Sequence, residues 1–306
     1  MTAVAAVDLH PSAIHARRAE TLSSHAQAVE RVIHVMRGRL AAPLATPLTL
    51  GEMAEIACLS PFHFIRVFNA VTGLPPGEFS AALRLDAAKR RLLTTSLSVT
   101  DVCFDLGYTS LGSFGPRFKR LVGLSPLQLR QTAERVNFSA LRQRADATQE
   151  RQARWLADDL ATGLATGLAS AGDAPGGVSG IITASAGFAG PIFIGLFTRP
   201  IPQGRPIACA TITTPGAFRL TSTSTPLPAP IPDGRYFVYA AALPWSRDPL
   251  AYLAPGAELL VGAGERAISV RGGLASAPVR VALRSRQPSD PPILGVFPSV
   301  LATARA

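Results

Sequence analysis

From Gln27 the chain repeats apolar residues at three- and four-residue spacing, and Val29, Val32, Ile33, Met36 and Leu40 fall on one helical face. Helical spacing persists to about Arg135. Within it Thr49, Ser60, Glu78, Ser98 and Ser110 each open a further segment as an N-cap or first-turn residue, and Gly73, Gly107 and Gly123 stand where helices should stop. Residues 1–24 are small and polar without a period, which predicts a flexible N-terminal tail. Residues 136–174 pass from a polar stretch into ATGLATGLASAGDAPG, which predicts a helical linker ending in a hinge. Beyond Val178 the period shortens to two. VSGIITAS, PIFIGLFT, PIACATIT, GAFRLTS, RYFVYAAAL, AISVRGG, PVRVALRS and PILGVFPS are separated by turn signals, which predicts an antiparallel β-sandwich over 175–303.

An internal repeat organises the helical block. Ser60, Phe64, Phe68, Gly73, Leu74 and Pro76 recur fifty positions later as Ser110, Phe114, Phe118, Gly123, Leu124 and Pro126, and Leu50 and Met53 match Val99 and Val102. Each copy reads as a short helix, a tight turn and a second helix with aromatic residues at i and i+4 facing inward, which is the helix-turn-helix pattern. The expected fold class is therefore multidomain α plus β: an all-α double helix-turn-helix domain over 25–135, then the sandwich. Because the apolar stripes of the helical block close on each other, it is expected to fold alone.

The length of 306 residues suits two domains, and 47% hydrophobic against 16% charged residues excludes a wholly disordered chain. The net charge of +10 favours a polyanionic partner, nucleic acid foremost. Cys58, Cys103 and Cys209 form no CxxC pair, which argues against a disulfide framework and a structural zinc. The chain starts without the order of a signal peptide and holds no long uncharged apolar run, so a cytoplasmic, membrane-free protein is expected.

A helix in a major groove presents its N-terminal half to base edges. On the first such helix Phe64, Val67 and Phe68 make the inward stripe, leaving Pro61, Phe62, Ile65 and Arg66 outward behind Ser60. Arg66 suits a bidentate pair with guanine, and Phe62 or Ile65 a thymine methyl. His63 fits a phosphate contact or a helix-surface hydrogen bond equally. On the second helix Ser110 precedes Leu111, Gly112, Gly115 and Pro116, whose side chains donate nothing to bases. Pro116 implies a distorted first turn or a start nearer Ser113. Arg117, Lys119 and Arg120 suit phosphate clamping, with a solvated basic face as the alternative. The segment EFSAALRLDAAKRRLLTT between them reads as one connecting helix.

The motifs SPFHFIRVFNAVTG, LRLDAAKRRLLTT and DVCFDLGYTSLGSFGPRFKRLVGLSPLQLR make the stretch from about Ala26 to Arg135 resemble the DNA-binding domain of AraC/XylS-type transcription regulators. That resemblance implies a regulator binding double-stranded promoter DNA, with Phe62, Ile65 and Arg66, then Leu111, Gly112 and Pro116, at base-contacting positions. The expected further partners are RNA polymerase, a small-molecule effector and a second copy in a homodimer. Two departures stand out: Cys58 replaces the usual glycine of the first turn, and Pro116 replaces a polar or basic reader. The β region resembles a prealbumin-like or carboxypeptidase-regulatory-like sandwich through segments that mostly encode strand and turn geometry. All five histidines precede it, so no catalytic residue, cofactor or metal site is expected there. Two roles stay open for it, effector sensing and protein interaction without sensing.

Overall fold

The computed structural model describes residues 11–42, 44, 46–166, 177–185, 187–222 and 230–304. Eight helices come first: α1 (Pro11–Ala41), α2 (Leu50–Ala57), α3 (Pro61–Thr72), α4 (Pro76–Thr94), α5 (Val99–Asp105), α6 (Leu111–Val122), α7 (Pro126–Arg135) and α8 (Phe138–Thr166). Strands follow as β1 (Val178–Thr183), β2 (Ile192–Phe197), β3 (Ala208–Ile212), β4 (Gly216–Ser222) and β5 (Gly234–Ala242). Next come α9 (Pro249–Leu253), β6 (Leu260–Ala263), β7 (Ile268–Arg271), β8 (Leu274–Ala275), β9 (Val279–Ala282), β10 (Arg284–Ser285) and α10 (Pro298–Ala304). A helical region thus precedes a β-rich region.

The caps act where the sequence places them. Thr49, Ser98 and Ser125 close capping boxes with Glu52, Asp101 and Gln128. The hydrogen bonds from Thr49 hold the Glu52 carboxyl down at about 2. Gly73 and Gly123 end α3 and α6 in the left-handed region, at φ of 74° and 91°. Helix α1 starts earlier than the pattern indicates: Pro11–Ser24 belongs to it, where an irregular tail is expected from the sequence. Once Val29, Val32, Ile33 and Met36 are anchored in the core, each further turn costs little, and ARRAETL is built of good helix formers. The start of the expected tail, residues 1–10, lies outside the described residues, as does most of the expected hinge, residues 167–176.

The strands form one hydrogen-bonded path, β10-β6-β5-β2-β3-β4-β1-β9, with β7 and β8 branching from β5. Its pairs are antiparallel except β1 with β9, which run parallel. Central β2 is buried on both faces, which explains the continuous apolar run IFIGLF. Ile192, Ile194 and Leu196 pack with Phe218, Val238 and Val281 in one core, while Phe193 on the opposite face joins the core of the helical region. PILGVFPS, expected as a strand, is not one. Pro291, Pro292 and Pro298 withhold ladder donors, and the segment spends its remaining backbone groups on the helices: Val296 N–H donates to Val122 O at 3.1 Å.

The core of the helical region does not stop at Arg135. It runs on through Phe193, Tyr252, Leu253, Leu294, Phe297 and Leu301 of the β-rich region. Helix α8 packs on β3 and β4, where the Gln152 amide exchanges two hydrogen bonds with the Arg219 backbone, 2.9 Å to its O and 2.7 Å from its N. Arg90 donates to Ala254 O and Pro255 O, and Arg199 pairs with Glu78.

Lys89 on α4 is 1% exposed, its ammonium donating to Ile293 O at 3.1 Å. Burial pulls this group down to about 8. The unfolded chain then binds more protons than the folded one between pH 8 and 10.5, so the penalty of burying the charge is fully present below pH 8 and relieved as pH rises through that window. Lys89→Met is expected to abolish that relief: the stability of the parent relative to the variant should rise by on the order of 3 kcal/mol from pH 7 to 10.5. Urea titrations of both proteins check this, and parallel pH dependences would refute it.

Candidate nucleic-acid interface

Two consecutive helical pairs, α2 with α3 and α5 with α6, are closed by different means. Helix α2 stops at Cys58, whose φ of 56° is left-handed and whose N–H reaches Ala54 O and Glu55 O. A side chain there costs about 1 kcal/mol relative to glycine, and the turn tolerates it because both ends are fixed by Met53, Ala57 and Phe64 in the core. Pro61 opens α3 at a position where its missing N–H is harmless. Phe64 and Phe68 are fully buried, 5.4 Å apart, and Phe68 lies edge-on to Phe79 of α4.

That burial turns Ser60, Pro61, Phe62 and Arg66 to the surface, with Ile65 half-buried. Phe62 is 84% exposed. The Ser60 hydroxyl makes no cap bond to the helix. His63 is set differently: its ring meets that of His25 on α1 edge-on, centroids 5.4 Å apart.

In the second pair Ser110 caps α6 through Ser113 N–H at 3.3 Å. The helix begins at Leu111 and Pro116 lies inside it, so of the two starts open to the sequence the one nearer Ser113 is not adopted. The proline withholds the donor that would meet Gly112 O, so α6 carries one backbone hydrogen bond fewer in its first half. Leu111, Gly112, Pro116, Lys119 and Arg120 are exposed, while Phe114 and Phe118 are fully buried. Arg66, Lys119 and Arg120 form no ion pair among the described residues.

Arg117 behaves differently from its neighbours. It is half-buried, and its Nε, the Nε of Arg84 and the hydroxyl of Tyr108 are all shielded without a hydrogen-bond partner among the described residues. The Arg84 guanidinium stands 4.8 Å over the Tyr108 ring. Burial raises the Tyr108 phenol, opposed by the cations of Arg84 and Arg117. Sequence spacing misses Tyr108, because a tyrosine after a Gly turn reads as core.

Residues 53–132 match the family model described as a helix-turn-helix domain. The chain is 35% identical over 83 residues to the HTH-type transcriptional activator AarP of Providencia stuartii, which covers 27% of this chain and 62% of that protein. It is 31% identical over 87 residues to the bifunctional transcriptional activator/DNA repair enzyme AdaA of Bacillus subtilis, 28% of this chain and 41% of that one. Over 114 residues it is 27% identical to the melibiose operon regulatory protein of Escherichia coli, 37% of each. The chain thus spans less than two thirds of the length of these relatives. Among solved structures, the DNA-binding domain of AdpA in complex with a target DNA is 26% identical, covering 33% of this chain and 88% of that one at a TM-score of 0.31. No helix among the described residues is long and apolar enough to cross a membrane. The match over 53–132 identifies this stretch as a helix-turn-helix domain, and the relatives that share it are transcriptional regulators.

Proposed function

We propose that the chain is a transcription regulator in which α3 and α6 act as paired readers of double-stranded promoter DNA and the β-rich region is a regulatory sandwich. The observation that carries this is Phe62, 84% exposed beside Arg66 on the half of α3 that a groove would meet, while Phe64 and Phe68 on the same helix are fully buried. The ring and the guanidinium put an apolar contact and a bidentate donor on the same side of the helix, the two features that a base edge in the major groove is read by. In this reading Arg66 pairs with guanine, Phe62 and Ile65 meet thymine methyls, and Ser60, Pro61 and Ser110 lie against the backbone. On α6 Leu111, Gly112 and Pro116 supply apolar contact, and Lys119 and Arg120 hold phosphates. AarP is a transcriptional activator and the melibiose protein an operon regulator, which supports a regulatory rather than catalytic role.

In vitro selection of binding sites tests the reading, because the readers are unequal. A selected site is expected to carry strong sequence information under α3 and weak information about one helical turn away, under α6. Arg66→Ala should cost about 1–3 kcal/mol at the best site and relax one base position, whereas Lys119→Ala should weaken all sequences alike. Two equally informative half-sites, or equal losses of both variants on selected and random DNA, would sink it.

A further inference from the structure

The sheet face turned toward the helices is only partly filled. Cross-strand register puts Phe193, Thr211 and Ala241 in one row of that face and Gly195, Cys209 and Tyr239 in the next. The first row is covered by the helical core, through Phe193 stacked on Phe297 at 4.0 Å. The second row has at its centre a glycine over which Phe197 and Pro206 close, and it lines a cavity of about 780 Å3. Sites for small organic ligands fall in the range of about 300–1,000 Å3. The cavity is roofed by the strap that PILGVFPS forms and by residues 202–206.

Phe193, Phe197, Tyr239 and Phe297 give its wall an aromatic character, with Thr183 and Thr211 as further polar side chains. Phe197 meets the Tyr239 ring edge-on at 6.0 Å. The Tyr239 hydroxyl has no hydrogen-bond partner among the described residues, and burial pushes the phenol up to about 12, so it stays protonated as a donor. Cys209 is pushed up to about 11 by burial and serves as wall, not nucleophile. Four charged residues also line it, Glu265, Arg280, Arg284 and Asp290, of which Arg284 and Asp290 neutralise each other at 2.6 Å.

Both roof segments grip the helices. Gly204 N–H donates to Leu121 O at 2.7 Å and Val296 N–H to Val122 O, supplying partners for last-turn carbonyls of α6 that a helix cannot satisfy itself. The two segments also touch each other: a Cβ on Gly295 would lie 2.6 Å from Gly204 O. Whatever moves the roof moves the end of α6.

We propose that this cavity binds a small flat aromatic molecule carrying one hydrogen-bond acceptor for Tyr239, and that its occupancy is transmitted through Gly204 and Val296 to the last turn of α6. The consequence for DNA rests on the reading of α6 as a DNA-holding helix, whereas the binding itself does not. A ligand shifts the roof only as far as it prefers one arrangement over another.

The fluorescent probe anilinonaphthalene sulfonate, an aromatic molecule with an acceptor group, tests this on the full chain. Saturable binding at one site per chain is expected. Cys209→Trp, which sets an indole into the cavity, should weaken the probe by about tenfold or more. Tyr239→Phe, which removes only the hydroxyl, should weaken it by roughly threefold to tenfold. Unsaturable binding, or equal affinity for the parent and Tyr239→Phe, would overturn the site even if Cys209→Trp failed to fold. Hydrogen exchange reads the coupling without DNA: saturating probe should slow the Gly204 and Val296 amides, and unchanged rates would overturn the transmission. A chain that binds probe but no DNA would sink the regulator reading and leave the site standing, and DNA binding without probe binding would do the reverse.

Discussion

Tyr252→Ala is expected to lower stability by about 3–5 kcal/mol, in the range for emptying a buried aromatic site. Tyr252 is 1% exposed on α9, its ring 6.0 Å from Phe138 at the start of α8 and 6.4 Å from Phe193 on β2. Its hydroxyl accepts from Ser246 N–H at 2.9 Å and donates to Ser246 O at 3.1 Å, so truncation also strands two backbone groups. Tyr252→Phe keeps the ring and should cost only about 1 kcal/mol. Because the ring ties helices to sheet within one apolar cluster, helical and β signals should unfold together in urea, and Tyr252→Ala should shift both. Two separate transitions in the parent, or a loss from Tyr252→Ala no larger than that from Tyr252→Phe, would show that the joint is not packed as described.

Phe68→Ala should cost a similar amount, about 3–5 kcal/mol, and for the same reason. The ring is fully buried, 5.4 Å from both Phe64 and Phe79, and it fixes the rotation of α3 about its axis. Phe62→Ala, six positions earlier on the same helix, is expected to change stability by no more than about 0.5 kcal/mol, since its ring has little packing to lose. The DNA readout should invert this order at temperatures where both proteins are folded. Phe62→Ala should lose affinity for the selected site through lost methyl contact, while folded Phe68→Ala retains more of it. Denaturant titration and a binding isotherm on the same two proteins decide the matter, and a destabilised Phe62→Ala with undiminished DNA affinity would place that ring in a core.

By itself the sequence determined what depends on neighbours along the chain. The doubled Ser-Phe-Phe-Gly pattern marks α3 and α6 because inward rings recur at i and i+4 and a left-handed residue must follow the last turn. The same periodicity sorts Phe62 and Arg66 from Phe64 and Phe68, so the exposed face of α3 is legible before any fold is known. Seven of the strand segments are legible too, through their alternation and the turns between them. Tertiary structure decided everything carried by contacts distant in sequence. Lys89 stands in a basic run with Arg90 and Arg91 on the connecting helix, yet its ammonium is buried and donates to Ile293 O, 204 positions away. The parallel pairing of β1 with β9, the conversion of PILGVFPS from strand to strap, and the shared core through Tyr252 have the same origin. Periodicity reports which face of an element is apolar, but the partner that buries that face is set by the lowest-energy packing of the whole chain. The cavity beneath the strap is the clearest case: in the sequence Tyr239 fits either core or the wall of a small-molecule pocket, and only the packing of the strap and residues 202–206 over β2, β3 and β5 decides between them.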